Sequence, residues 1–279
     1  MNREETAYLD GMKGCACIIV FIMHFVGTFY PAVFNGAVFT SHLPNGFDAS
    51  LTQTPALSLI NGRLMVGVFM VISGMIMTMQ VMKNSDERKL SEIVFKRYFR
   101  FAFVLLAFCL IVFLMKKLGM FFAKECAEIT GARGTLGMYA GDYSLKDCFT
   151  HAFYYILFKK STAFSLAFWC LNDMLIGSYI SILLGLAAKY LNKYALIIFA
   201  ALYVILAYNN YWFSTFVLGS IIGYVFIHRD EFYSPKYRLL YDIGGTVLFI
   251  AGMMIGAYPP GGSSLRISMQ ISALFFPTE

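Results

Sequence analysis

Residues 15–34 form an apolar run with no Asp, Glu, Lys or Arg in it and one imidazole, His24. Six further long runs follow, at 64–82, 101–123, 166–188, 194–208, 211–228 and 239–257, and another starts at 265 and meets the C-terminus. A helix needs about twenty apolar residues to cross a bilayer, and one soluble core cannot absorb this many such stretches. The expected fold is therefore all-α, a polytopic transmembrane helical bundle of about eight spans forming one integral-membrane domain over residues 1–279. The first run is long and lacks a short apolar core followed by a small-residue cleavage site, so it is expected to stay in place as an anchor.

Composition agrees. The chain is 59% hydrophobic and 14% charged, where a soluble domain carries about a quarter charged residues. Its net charge of +6 is read as a topology signal and not as a nucleic-acid footprint, because the basic residues collect in alternate short loops. Residues 83–100 hold Lys83, Arg88, Lys89, Lys96, Arg97 and Arg100, whereas 35–62, apart from its border with Arg63, holds no Lys or Arg. Lys189, Lys193, Arg229, Lys236 and Arg238 fall on the same side by alternation. That side is expected to be cytoplasmic, and the N-terminus with it. The segment 124–145 holds several glycines and reads as irregular; 145–158 is aromatic and suits either an interfacial or a re-entrant placement.

His24 is the first candidate for chemistry, since an imidazole in hydrocarbon is costly unless it faces the protein interior or water. Eleven residues separate it from Lys13, about three helical turns, which puts the two on one face roughly 16 Å apart. Asp10 lies on nearly the same face, three residues before Lys13. A cation near the membrane surface with a titratable base deeper along the same stripe suits a long anionic cofactor lying along the helix, with His24 as general base.

The stretch Asp10-Gly11-Met12-Lys13-Gly14 with His24 after a ten-residue gap resembles the opening signature of the membrane acyltransferase-3 family, whose members modify exported glycans. The family usually has Arg where this chain has Lys13, a point charge in place of a planar fork. Two further elements carry the resemblance. Phe69, Ser73 and Gly74 are similar to the family's Ser-Gly span, and Arg97-x-x-Arg100 to its paired arginines. By that resemblance Lys13, Arg97 and Arg100 grip the phosphates of an acyl-CoA, most often acetyl-CoA. Arginine's bidentate fit to phosphate oxygens supports this. Ser73 and Gly74 read first as packing residues, with Ser73 and Asp10 also counted as candidate cofactor contacts. Trp169, Leu171 and Asp173 match a third family stretch loosely. Asp173, a carboxylate just inside an apolar run, wants a partner or a wet cleft and is the candidate for binding the acceptor or orienting His24. Trp169, Arg63 and Asp242 read as interfacial residues.

The implied function is membrane O-acyl transfer, with acetyl-CoA as donor. The acceptor is a hydroxyl of an exported or lipid-linked glycan, and the setting is a bacterial inner membrane among its lipids. The family has about ten spans and this chain reads as about eight. The alternatives are a proton-coupled transporter or flippase of a lipid-linked sugar, using His24 and Asp173 as a relay, and a non-catalytic membrane scaffold. No metal site is expected: Cys15-x-Cys17 lacks ligand spacing and a companion cluster. Cys126 and Cys148 share a loop and could pair in an oxidising compartment. No phosphate-loop or nucleophile-elbow motif occurs.

Overall fold

The computed structural model describes residues 3–35, 41–51, 54–84, 86–130, 141–209, 211–229 and 234–257; the apolar run from residue 265 lies outside them. Among the described residues there is no strand, and the protein is an all-α helical membrane protein. The main helices are α1 (Arg3–Phe29), α2 (Gly62–Lys83), α3 (Glu87–Lys117), α4 (Leu171–Leu191), α5 (Ala195–Asn209), α6 (Tyr211–Ile227) and α7 (Arg238–Ala257). Among the described residues four stretches are long and apolar enough to cross a bilayer, Ala7–Phe29, Gly62–Lys83, Arg88–Lys117 and Leu166–Leu191, while Ala195–Asn209 and Trp212–Ile227 are shorter apolar helices.

Helix α2 is the hub, with α1, α4 and α6 packed around it. Its start is fixed by Asn61, whose Oδ1 accepts the Leu64 N–H at 3.0 Å, satisfying one of the free donors of the first turn. Small residues let the backbones of α2 and α6 touch. A methyl group at Gly219 would run into the carbonyl oxygen of Val71, and one at Gly74 into that of Phe216. Because both obstacles are main chain, no rotamer change relieves them. Gly219→Ala is expected to destabilise the bundle by about 1–3 kcal/mol, the usual scale of overpacking. It should appear as a lowered thermal midpoint in detergent, and an unchanged midpoint would mean the helices can separate at no cost.

Helices α2, α4 and α6 run parallel. Their C-terminal ends meet where Lys189 Nζ donates to the Asn84 carbonyl and Tyr224 Oη to the Asn192 carbonyl at 2.9 Å. We call this the Lys83 end and the other the Gly62 end. Helix α1 lies antiparallel to α2, with Leu9 in a cluster with Ile72, Met75 and Met79 and Met23 against Gly62.

Three segments depart from the sequence expectation. The basic stretch 83–100 is not a loop. Helix α3 starts at Glu87, capped by Asp86 Oδ1, which accepts the Arg88 N–H at 2.9 Å. Its first turns are amphipathic, with Arg88, Lys89, Glu92 and Lys96 exposed and Leu90 and Ile93 packed on Met77, Val81 and Ile182. A count of apolar residues beginning at Phe101 therefore missed them. Segment 124–145 begins as helix, Ala123–Thr130. The connection 35–62 contains the helical turns Pro44–Gly46, Phe47–Ser50 and Pro55–Ile60, organised around the buried Asp48. Its carboxylate accepts from Ser41 Oγ, the His42 N–H at 2.8 Å and the Ala49 N–H at 3.1 Å. Burial opposes the charge, but these donors outweigh it and hold Asp48 below the usual carboxylate range.

The aromatic segment forms a helix with a π turn, Leu145–Thr150, His151–Tyr155 and Ile156–Lys159, packed lengthwise and antiparallel on α3. Cys148 Sγ lies 3.5 Å from the Cys109 carbonyl, and Tyr98 Oη donates to the Phe153 carbonyl at 2.7 Å. The segment turns back at Lys160, which adopts a left-handed backbone at φ 53°. All six cysteines are free thiols; Cys148 is buried against α3 and not joined to Cys126.

Candidate functional site

The centre of the site is Arg97. Ten residues into α3, it reaches the same height as Ser73, ten residues back from the end of α2. Its Nη2 donates to Ser73 Oγ at 2.5 Å and to Ser178 Oγ of α4 at 2.7 Å, and its Nε donates to Ser178 Oγ at 3.1 Å. The guanidinium carbon lies 4.9 Å from the Phe101 ring centroid, a cation–π distance. Ser178 Oγ also donates to the Met174 carbonyl. The site therefore ties three helices together through two hydroxyls, and among the described residues no carboxylate neutralises the charge. The expectation of a juxtamembrane Arg97 is corrected: it is a part-buried cation within the bundle. Arg100, one turn on, is exposed. Ser73 is thus Arg97's hydrogen-bond partner.

Lys13 and Asp10 form an ion pair of 2.7 Å. Counting ten residues along both helices from the Met23–Gly62 contact puts Lys13 opposite Ile72, one residue from the height of Ser73 and Arg97. The two cations occupy one level of the bundle. Helix α1 is unbroken through Lys13 and His24.

His24 stands near the Gly62 end, beside the turn that carries Met23. Its side chain is exposed, contrary to the expectation of an imidazole enclosed by protein. The reason is the packing of α1, which meets the bundle along Leu9, Ala16 and Met23 and leaves Ile18, Phe21, Ile22 and Phe25 outside. His24 borders the packed stripe.

Asp173 is buried, and its Oδ1 is bound by Lys160 Nζ at 2.8 Å. Its partner is therefore the cation at the turn after the π-bulged helix, not His24. The neighbouring Asn172 Nδ2 donates to the Leu157 carbonyl at 2.6 Å. Asp173 thus fastens the start of α4 to that turn. Asp242 pairs with Arg238 at 3.7 Å on the exposed face of α7.

Sequence reasoning missed Ser178 and Lys160. Lys160 had a signal, since a carboxylate in an apolar run requires a cation and Lys160 is the nearest one upstream. Ser178 had none, because its role depends on which face of α4 meets α3. Among the described residues no cluster of His, Cys, Asp and Glu is suited to a metal ion.

A family model described as an acyltransferase domain matches residues 6–276. No curated protein matches the chain, and no solved structure does.

Proposed function

This chain belongs to the acyltransferase-3 family and is a membrane acyltransferase, and from that premise we propose that it moves an acyl group, acetyl above all, from cytosolic acyl-CoA to a hydroxyl of an exported or lipid-linked bacterial glycan. The observation that supports this most is Arg97, a guanidinium held inside the bundle by Ser73 and Ser178 with no carboxylate partner among the described residues. An interior cation without a counter-charge is costly and is relieved by an anionic ligand, which a diphosphate supplies. Lys13 at the same height and the exposed Arg100, one turn further along α3, widen the positive surface around this level, which the cytosolic donor would reach from the Lys83 end. The protein then sits in the inner membrane with its N-terminus in the cytoplasm.

The pantetheine arm would run towards the Gly62 end and His24. There His24 removes the proton of the acceptor hydroxyl, the oxygen attacks the thioester carbon, the C–S bond breaks, and the proton passes to the departing thiolate. An ester and free CoA result. The transporter reading needs His24 and Asp173 in one relay, whereas Asp173 is bound to Lys160.

Incubating membranes with radiolabelled acetyl-CoA tests the proposal. Label is expected in the glycan fraction only when this protein is present. Label that appears equally without it would overturn the reading.

A further inference from the structure

The chain has two tryptophans, and they meet. Trp169, just before α4, and Trp212, in the first turn of α6, have ring centroids 5.0 Å apart at 56°. The guanidinium carbon of Arg63, in the first turn of α2, lies 5.8 Å from the Trp212 ring centroid. The two rings pair with each other across the starts of α4 and α6. Both rings rest on the buried cluster of Met70, Cys170 and Phe216, while Arg63 is exposed. Three parallel helices begin here, so their amide ends add positive potential to the same mouth. Asp173, one turn on from Trp169, is already neutralised by Lys160.

An orphaned donor adds an independent sign of a ligand. Asn61 is 7% exposed; its Oδ1 caps α2, and its Nδ2 is buried with no hydrogen-bond partner. Both atoms hang on one carbon, so the donor lies at this helix end, two residues from Arg63. A buried donor left unmade is expensive. The turn bearing His24 reaches the same end through the Met23–Gly62 contact.

We propose that Arg63, Trp169 and Trp212, beside the buried Asn61, form the acceptor subsite and that its ligand is an acidic saccharide, the Trp rings covering a sugar face and Arg63 taking its carboxylate or phosphate. The inference rests on the acyl-transfer reading for the identity of the ligand as acceptor. It adds that the acceptor must be anionic, and it makes Arg63 a binding residue and not merely an interfacial one.

Because the only tryptophans line the subsite, intrinsic fluorescence of the full chain in nanodiscs reports its occupancy directly. Four probes separate the contributions: trigalacturonic acid, N-acetylglucosamine 1-phosphate, neutral maltotriose and inorganic phosphate. A saturable spectral change is expected with at least one acidic sugar, about tenfold tighter or more than with maltotriose or phosphate. Which acidic sugar binds tells carboxylate from phosphate. Arg63→Gln should lose that preference and Arg63→Lys keep much of it, while Trp212→Phe should weaken all the sugars and leave Trp169 as reporter. Equal affinity for neutral and acidic sugars, an unaltered preference in Arg63→Gln, or no spectral change with any probe overturns the subsite. The labelling experiment is independent: labelled glycan without saccharide binding refutes the subsite alone, and saccharide binding without labelled glycan refutes the transferase reading alone.

Discussion

Arg97→Ala is expected to weaken acyl-CoA binding by about 10–100-fold, the loss that follows when a charged hydrogen-bonding group is removed, while leaving the bundle assembled. Two facts separate these effects. Ser178 Oγ keeps the Met174 carbonyl as a partner after the guanidinium is gone, so one of the two freed hydroxyls stays satisfied. The anion, by contrast, loses the cation that Ser73 and Ser178 fix between α2, α3 and α4. Arg97→Lys should not restore binding, because an ammonium on a flexible stem does not reproduce the planar fork that spans Ser73 and Ser178. The double change Ser73→Ala and Ser178→Ala keeps the charge and loses its mooring, so a smaller loss is expected. Calorimetric titration of acyl-CoA into nanodisc-embedded protein measures all three, with a thermal melt beside each to confirm folding. Wild-type affinity in a well-folded Arg97→Ala protein would remove the donor site from this place.

Much of the architecture is legible without coordinates, because the need to satisfy a bilayer is written in run lengths. The starts of α2 and α7 follow from where apolar sequence begins. What escapes is whatever depends on a helix being longer than its apolar part. Helix α3 extends four turns into basic sequence because Leu90 and Ile93 face α2 and α4 while Arg88, Lys89 and Lys96 face out. A hydropathy count sees only the average of those faces. The same averaging placed Arg97 at the membrane surface when its spacing from Leu90 and Ile93 turns it inward. Asp173 shows the opposite case: its need for a partner was readable, but the identity of Lys160 depended on a chain reversal at a non-glycine residue in the left-handed region, which carries no local sequence cue. The pairing of Trp169 with Trp212 likewise arises from three parallel helices starting at one level.

His24→Ala is expected to reduce transfer to glycan by about 100-fold or more, within the range that a positioned general base contributes, while acyl-CoA binding stays unchanged. The separation follows from position: His24 lies near the Gly62 end, and Arg97 lies half the length of α2 away at the height of Ser73. Loss of binding in the arginine variant and loss of chemistry in the histidine variant should therefore be distinct. A base must be unprotonated to act, so the wild-type rate should fall as the medium is made acid enough to charge the ring. The residual rate of His24→Ala should lack that limb. Asp173→Asn provides the discriminating control. Were Asp173 the group that orients His24, it would shift the acid limb; bound as it is to Lys160, it should loosen the turn at Lys160 and leave the shape of the pH profile alone. Initial rates of label transfer across a pH series, with matched protein levels in the membrane, decide the matter. A histidine variant that retains the wild-type rate and acid limb would show that another group takes the proton, and the exposed placement of this imidazole on α1 would then be sufficient as an account of a lipid-facing residue.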